Sequence, residues 1–151
     1  MPEKKTLERA AKDKREGKSG STQAGEFVRE EMDHVRKGKH GARSSKQAIA
    51  IGLSKARRAG VDLPAPKKGK VSERTRKQAS RDSAKGSGGS SSTPSAKRSR
   101  ATSGALKREG RAAASHTALS RQARSSAQSR GAAGRKKAAR KAARTRARNS
   151  R

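Results

Sequence analysis

From Ser44 to Pro64 the chain carries a helix start, an apolar face and a helix stop in that order. Ala48, Ile49, Gly52, Leu53, Ala56 and Ala59 recur every three or four positions, which puts them on one side of a helix. Ser44 stands three residues before Gln47, the spacing of a capping box. Arg57 and Arg58 fall in the last turn, where the carbonyl end of a helix favours positive charge. Gly60 suits the left-handed closing position, Val61 can fold back onto the last turn, and Pro64 blocks continuation. A second stripe precedes this one. Ala24, Phe27, Val28, Met32 and Val35 predict a helix over 22–37, with Thr22 as its N-cap. The loop GKHGAR, 38–43, is short enough to fold the two helices against each other. Phe27, Val28, Met32, Val35, Ile49 and Leu53 are the expected packing residues. Ile51 falls off the main stripe and either widens the core face or marks a partner surface.

Elsewhere the pattern is thin. Leu7, Ala10, Ala11 and Lys14 line a marginal helix within 4–18, followed by an expected flexible joint at Gly17–Ser21. An extended PAP segment opens 64–85, and a polar helix candidate starts at Ser72. Residues 86–95, GSGGSSSTPS, read as a flexible linker. A helix interrupted near Gly110 is expected within 103–128. In 131–148 alanine favours helix while clustered like charge opposes it, so disorder is expected until an anion binds. A weak repeat links Ser45-Lys46-Gln47-Ala48, Arg76-Lys77-Gln78-Ala79 and Ser120-Arg121-Gln122-Ala123. The expected fold class is all-α: a small two-helix module, about 22–37 and 44–60, with long, largely disordered basic arms. The expected division is a charged flexible arm over 1–20, the two-helix domain over 21–63, a basic linker over 64–102 and an Ala/Lys/Arg-rich tail over 103–151.

Composition supports that division. Of 151 residues, 27% are hydrophobic and 36% charged, and Phe27 is the single aromatic, too little apolar surface to order the whole chain by burial alone. The formal charge is +30, which seeks a polyanion. It is unevenly spread: net +3 over 1–20, +4 over 21–63 and +23 over 64–151, where 26 Lys and Arg face 3 acidic residues. The absence of cysteine removes disulfides, thiolate nucleophiles and Cys zinc sites. No apolar run reaches the length of a membrane span, and the first twenty residues have no signal-peptide core. The expected setting is the cytoplasm, on the nucleoid, away from membranes.

The residues place phosphate contact above catalysis. Arg135, Lys136, Lys137, Arg140, Lys141, Arg144, Arg146 and Arg148 are the densest basic run, spaced to neutralise a line of phosphates. Lys46, Lys55, Arg57 and Arg58 are the candidate contacts on the second helix, with Lys46 near the helix N-terminus, itself an anion site. Glu30, Glu31 and Asp33 make the middle of the first helix acidic, which favours packing on the second helix over contact with phosphate; solubility and ion pairing with Arg29, Arg36 or Lys37 are the expected role of Glu30 and Glu31. His34 and His40 lie six apart across a helix end without a recognisable metal-ligand pattern. No catalytic residue, metal ligand or cofactor site is expected. Without an aromatic platform, recognition by base stacking is disfavoured.

The stretch from Gly25 to Pro64 resembles a bacterial family of small basic proteins with a domain of unknown function. The resemblance is carried by the run KHGARSSKQAIAIGLSKARRAGV, Lys39 to Val61. Members are sometimes labelled DNA-binding or plasmid-stabilisation proteins, so the resemblance implies a DNA-associated role. The tail is similar in composition to the basic tails of histone-like proteins. The expected function is non-specific DNA binding, bridging or compaction, with a homodimer or protein partner on 21–63. The alternatives are an RNA- or ribosome-associated basic protein and a protein-interaction adaptor.

Overall fold

Three successive helices close on the same device. In the computed structural model α1 (Lys4–Arg15), α2 (Gly20–Arg36) and α3 (Ser45–Arg58) are each followed by a glycine of positive φ: Gly17 at 68°, Gly38 at 71° and Gly60 at 83°. The amide of each glycine bonds the carbonyl three residues back, and the next amide bonds the carbonyl five residues back. Gly60 N–H donates to Arg57 O at 3.0 Å and Val61 N–H to Ala56 O at 3.1 Å; Gly17–Lys18 and Gly38–Lys39 repeat the pattern. This pair of bonds satisfies carbonyls that a helix end leaves open and reverses the chain sharply. The structure describes residues 1–88 and 95–149.

The central packing is α2 against α3. Phe27, Val35, Ala24, Ala48 and Ala56 are fully buried, and Met32 nearly so; Val28, Ile49 and Leu53 are half-buried. Gly52 sets the approach: a Cβ there would stand 2.7 Å from the Cα of Val28, so the two backbones meet where a side chain has no room. Val61 and Leu63 fold back beside Leu53 onto the cluster of Ala10, Ala24, Phe27 and Ala56. The start of α3 is capped as its sequence predicts, with Ser44 Oγ accepting from Gln47 N–H at 3.2 Å. The return bond differs from a standard capping box: Gln47 Oε1 accepts from Arg43 N–H at 2.8 Å, one residue before the cap.

The all-α class stands, but the two-helix module with long disordered arms does not. Seven α-helices and a short 3₁₀ turn occupy the described residues. The helix expected over 22–37 begins at Gly20, after Ser19 rather than at a Thr22 cap. The flexible joint expected at Gly17–Ser21 is the tight turn closed by Gly17. The face α1 buries is Thr6, Ala10 and Asp13, while Leu7 stays exposed. Lys18 ties that face down, with Nζ 2.8 Å from Asp13 Oδ1. Apolar periodicity misses such a face because two of its three positions are polar.

α4 (Glu73–Gly86) packs on α3 with Ala79 and Asp82 buried. Its start is capped by Ser72 Oγ, which accepts from Thr75 N–H at 3.2 Å. α5 (Ala96–Arg108) leads into a segment held on the α2–α3 loop. There Gly41 N–H donates to Leu106 O at 2.8 Å and Ala42 N–H to Gly110 O at 3.1 Å. Ser45 Oγ donates to Ala113 O at 2.6 Å and Arg36 Nε to Ala114 O at 3.0 Å, with the 3₁₀ turn Ala112–Ala114 between. These bonds join residues some seventy positions apart without large apolar side chains, so nothing in the hydrophobic pattern announces them. The Gly/Ser linker expected over 86–95 lies largely outside the described residues.

Met1–Ser115 forms one compact unit and His116–Arg151 a second. The second unit holds α6 (His116–Ser129) and α7 (Gly131–Asn149), packed together across a turn in which Gly131 has φ 66°. Of the three repeat-like segments, 45–48 opens α3, whereas 76–79 and 120–123 lie in the second turn of α4 and of α6.

Candidate functional site

α2 and α3 enclose a charged network at their interface. Glu30 and Glu31 are 3% and 0% exposed, although they are adjacent in sequence. Lys55 reaches across from α3, with Nζ 2.7 Å from Glu31 Oε2 and 3.4 Å from Glu30 Oε1. Glu30 Oε2 also accepts from the backbone N–H of Glu3 at 3.0 Å, which secures the start of α1. Burial alone would raise the Glu30 carboxyl. Hydrogen bonds from the Thr6 hydroxyl and the Glu3 amide, with the charges of Lys55 and His34, reverse this and hold it below its ordinary value.

The mouth of the network is formed by Glu3, His34, Lys39 and His40. Glu3 Oε1 lies 2.7 Å from Lys39 Nζ and 2.8 Å from His34 Nε2. These bonds, led by the one from Lys39, hold the exposed Glu3 carboxyl at about 2. The turn closed by Gly38 returns the chain so that the His34 and His40 rings meet edge to face, with centroids 6.0 Å apart. His40 Nδ1 donates to Gly41 O at 3.0 Å, and its Nε2 stands 3.2 Å from Glu31 Oε1. The solubilising surface role expected for Glu30 and Glu31 is therefore replaced by a buried one. The signal that could have found this group is the Glu31–His34 spacing of three on α2, with a histidine just past the turn.

The structure separates the basic candidates of α3. Lys46 is exposed at the start of the helix and has no ion-pair partner among the described residues. Lys55 is committed to Glu30 and Glu31. Arg57 is 7% exposed and donates from Nε to Leu63 O at 3.2 Å and from Nη2 to Pro64 O at 3.4 Å. Burial draws its guanidinium below its ordinary value, yet it stays a cation at neutral pH. Arg58 Nε stands 2.7 Å from Asp82 Oδ1 on α4, and Ser54 and Gln78 bond the same carboxylate. Three of the four cations thus hold the fold together.

On α7 the arrangement is the reverse. Arg135, Lys136, Lys137, Arg140, Lys141, Arg144, Arg146 and Arg148 are all exposed. Ala133, Lys136, Lys137, Arg140, Lys141 and Arg144 line one shallow groove. From Gly110 to the last residue the sequence has no Asp or Glu, so none of these cations has a carboxylate side chain in its own unit. α6 adds a second polar groove lined by His116, Ser120, Arg121 and Arg124. Among the described residues no helix is long and apolar enough to cross a membrane.

Residues 5–68 match a family of unknown function, DUF6496, and this stretch spans α1 through the extended segment after α3. No curated protein and no solved structure matches this chain. The helical bundle around the Glu30–Lys55 network is thus similar to a family of unknown function.

Proposed function

We propose that the chain binds nucleic acid non-specifically through phosphate contacts, bridging or compacting DNA. The observation that carries this reading is the exposed, carboxylate-free cation strip of α7. Opposing helical cations at that density repel one another unless a polyanion lies along them. Arg and Lys on one face neutralise consecutive phosphates and release counterions, which supplies affinity without base reading. Lys46 adds a contact at the N-terminus of α3, where backbone amides also face an anion. Lys55, Arg57 and Arg58 serve packing, so the α2–α3 pair contributes little to affinity and offers a surface for self-association or a partner. The single aromatic, Phe27, is fully buried, which disfavours single-strand recognition by stacking.

The test is a salt series of duplex DNA binding by the full chain and by a variant with the eight α7 cations changed to Gln. Wild-type affinity falls linearly with salt on logarithmic axes, and the variant shows a shallower slope. A flat salt dependence overturns the reading. A strong preference for RNA over duplex DNA at equal salt moves it to an RNA-associated role.

A further inference from the structure

We propose that Glu31, His34 and His40 form a divalent metal site, with zinc the ion their donor set fits. One ligand atom from each lies within 4.8 Å of the others. Glu31 and His34 stand three apart on α2, which puts both on one face, and the Gly38 turn brings His40 back over them. Tetrahedral zinc with nitrogen and carboxylate ligands needs donor atoms about 3.3–3.5 Å apart. The Glu31 Oε1–His40 Nε2 separation of 3.2 Å is already there.

The observation that points to a cation is the state of Glu31. Its side chain is fully buried, and neither oxygen receives a well-formed hydrogen bond. Lys55 is an ion-pair partner on the Oε2 side and is shared with Glu30. On the Oε1 side stands His40 Nε2. A carbonyl can only accept, so His40 must place its Nδ1 proton on Gly41 O. With Nδ1 so engaged, Nε2 is the ring atom that faces Glu31 Oε1, at 3.2 Å, where one metal ion could take a lone pair from each.

The surrounding groups suit that ion. Glu3 Oε1 accepts from His34 Nε2, the carboxylate–histidine arrangement that fixes the ring and leaves Nδ1 as the metal-binding nitrogen. Three carboxylates, Glu3, Glu30 and Glu31, converge on this corner of a strongly cationic chain, beside two ammonium groups, Lys39 and Lys55. His34 and His40 side chains are 13% and 18% exposed, enough for entry from the surface. Three protein ligands, all within Met1–Ser115, leave one position for water or a ligand.

The test uses the full chain at neutral pH, titrated with zinc chloride by calorimetry and with cobalt(II) by visible absorption. We expect one tight ion per chain, a rise in melting temperature and the intense visible bands of four-coordinate cobalt. H34Q and H40Q should each weaken binding at least about tenfold, and E3Q, through loss of ring orientation, by about 10-fold. H116Q should leave it unchanged. Circular dichroism separates E31Q misfolding from loss of a ligand, and the histidine variants stand if E31Q fails to fold. Zinc binding that survives H34Q/H40Q together overturns the site. So does the absence of binding at millimolar zinc.

Discussion

The Asp82 carboxylate on α4 lies 2.7 Å from Nε of Arg58 on α3 and is 1% exposed, whereas the Arg58 side chain is about half exposed. The pair is therefore unequal. Removing Asp82's charge leaves a guanidinium that water can solvate. Removing Arg58 leaves a buried carboxylate with the hydrogen bonds of Ser54 and Gln78 and the more distant charge of Arg57. R58M should cost about 3 kcal/mol and D82N clearly less, because an unpaired buried charge is the larger penalty. Urea unfolding of the two variants decides it, and equal losses would mean that the pair is structurally symmetric.

Two glycines of the central helices should respond in opposite directions. Gly52 faces the Val28 backbone at 2.7 Å from an added Cβ, so G52A should destabilise by about 1–3 kcal/mol. Gly25 is exposed within α2 with nothing near an added Cβ, so G25A should stabilise by about 0.5–1 kcal/mol. Thermal melts of both variants check the pair.

The Ser44 hydroxyl caps α3 and Gln47 holds the amide of Arg43. S44A should cost about 1 kcal/mol, while S44D, which keeps an acceptor at the helix N-terminus, should retain most of the stability. Denaturant midpoints at constant slope give the answer.

Arg76 holds the exposed Glu73 carboxyl through bonds of 2.6 and 3.0 Å, which lower it from an ordinary value of 4.5. A carboxyl lowered on folding lends its stabilisation fully above 4.5 and loses it as the pH falls through the lower folded value. A carbon-detected NMR titration should place the Glu73 midpoint below 4.5, and R76Q should return it toward 4.5.

Local signals were enough for α3. Its cap, its apolar spacing, Gly60 and Pro64 lie within twenty-one residues, and each acts on its nearest neighbours. The fully buried Phe27 and Val35 and the all-helical class were legible for the same reason. So was the uneven charge, which is a property of composition. Tertiary structure decided the rest. α1 and α4 dock through Thr6, Asp13 and Asp82, residues that read as surface until a partner is in place. Lys55 and Arg58 look equivalent to Lys46 along the chain, yet their partners lie 24 or 25 positions away. Burying a charge is costly unless an opposite charge or hydrogen bonds meet it, so a distant partner alone determines whether such a residue faces water or the core. Glu31 and His40 show the same dependence. Their meeting requires the Gly38 turn and the α2–α3 contact together, and neither is written in the spacing of either residue.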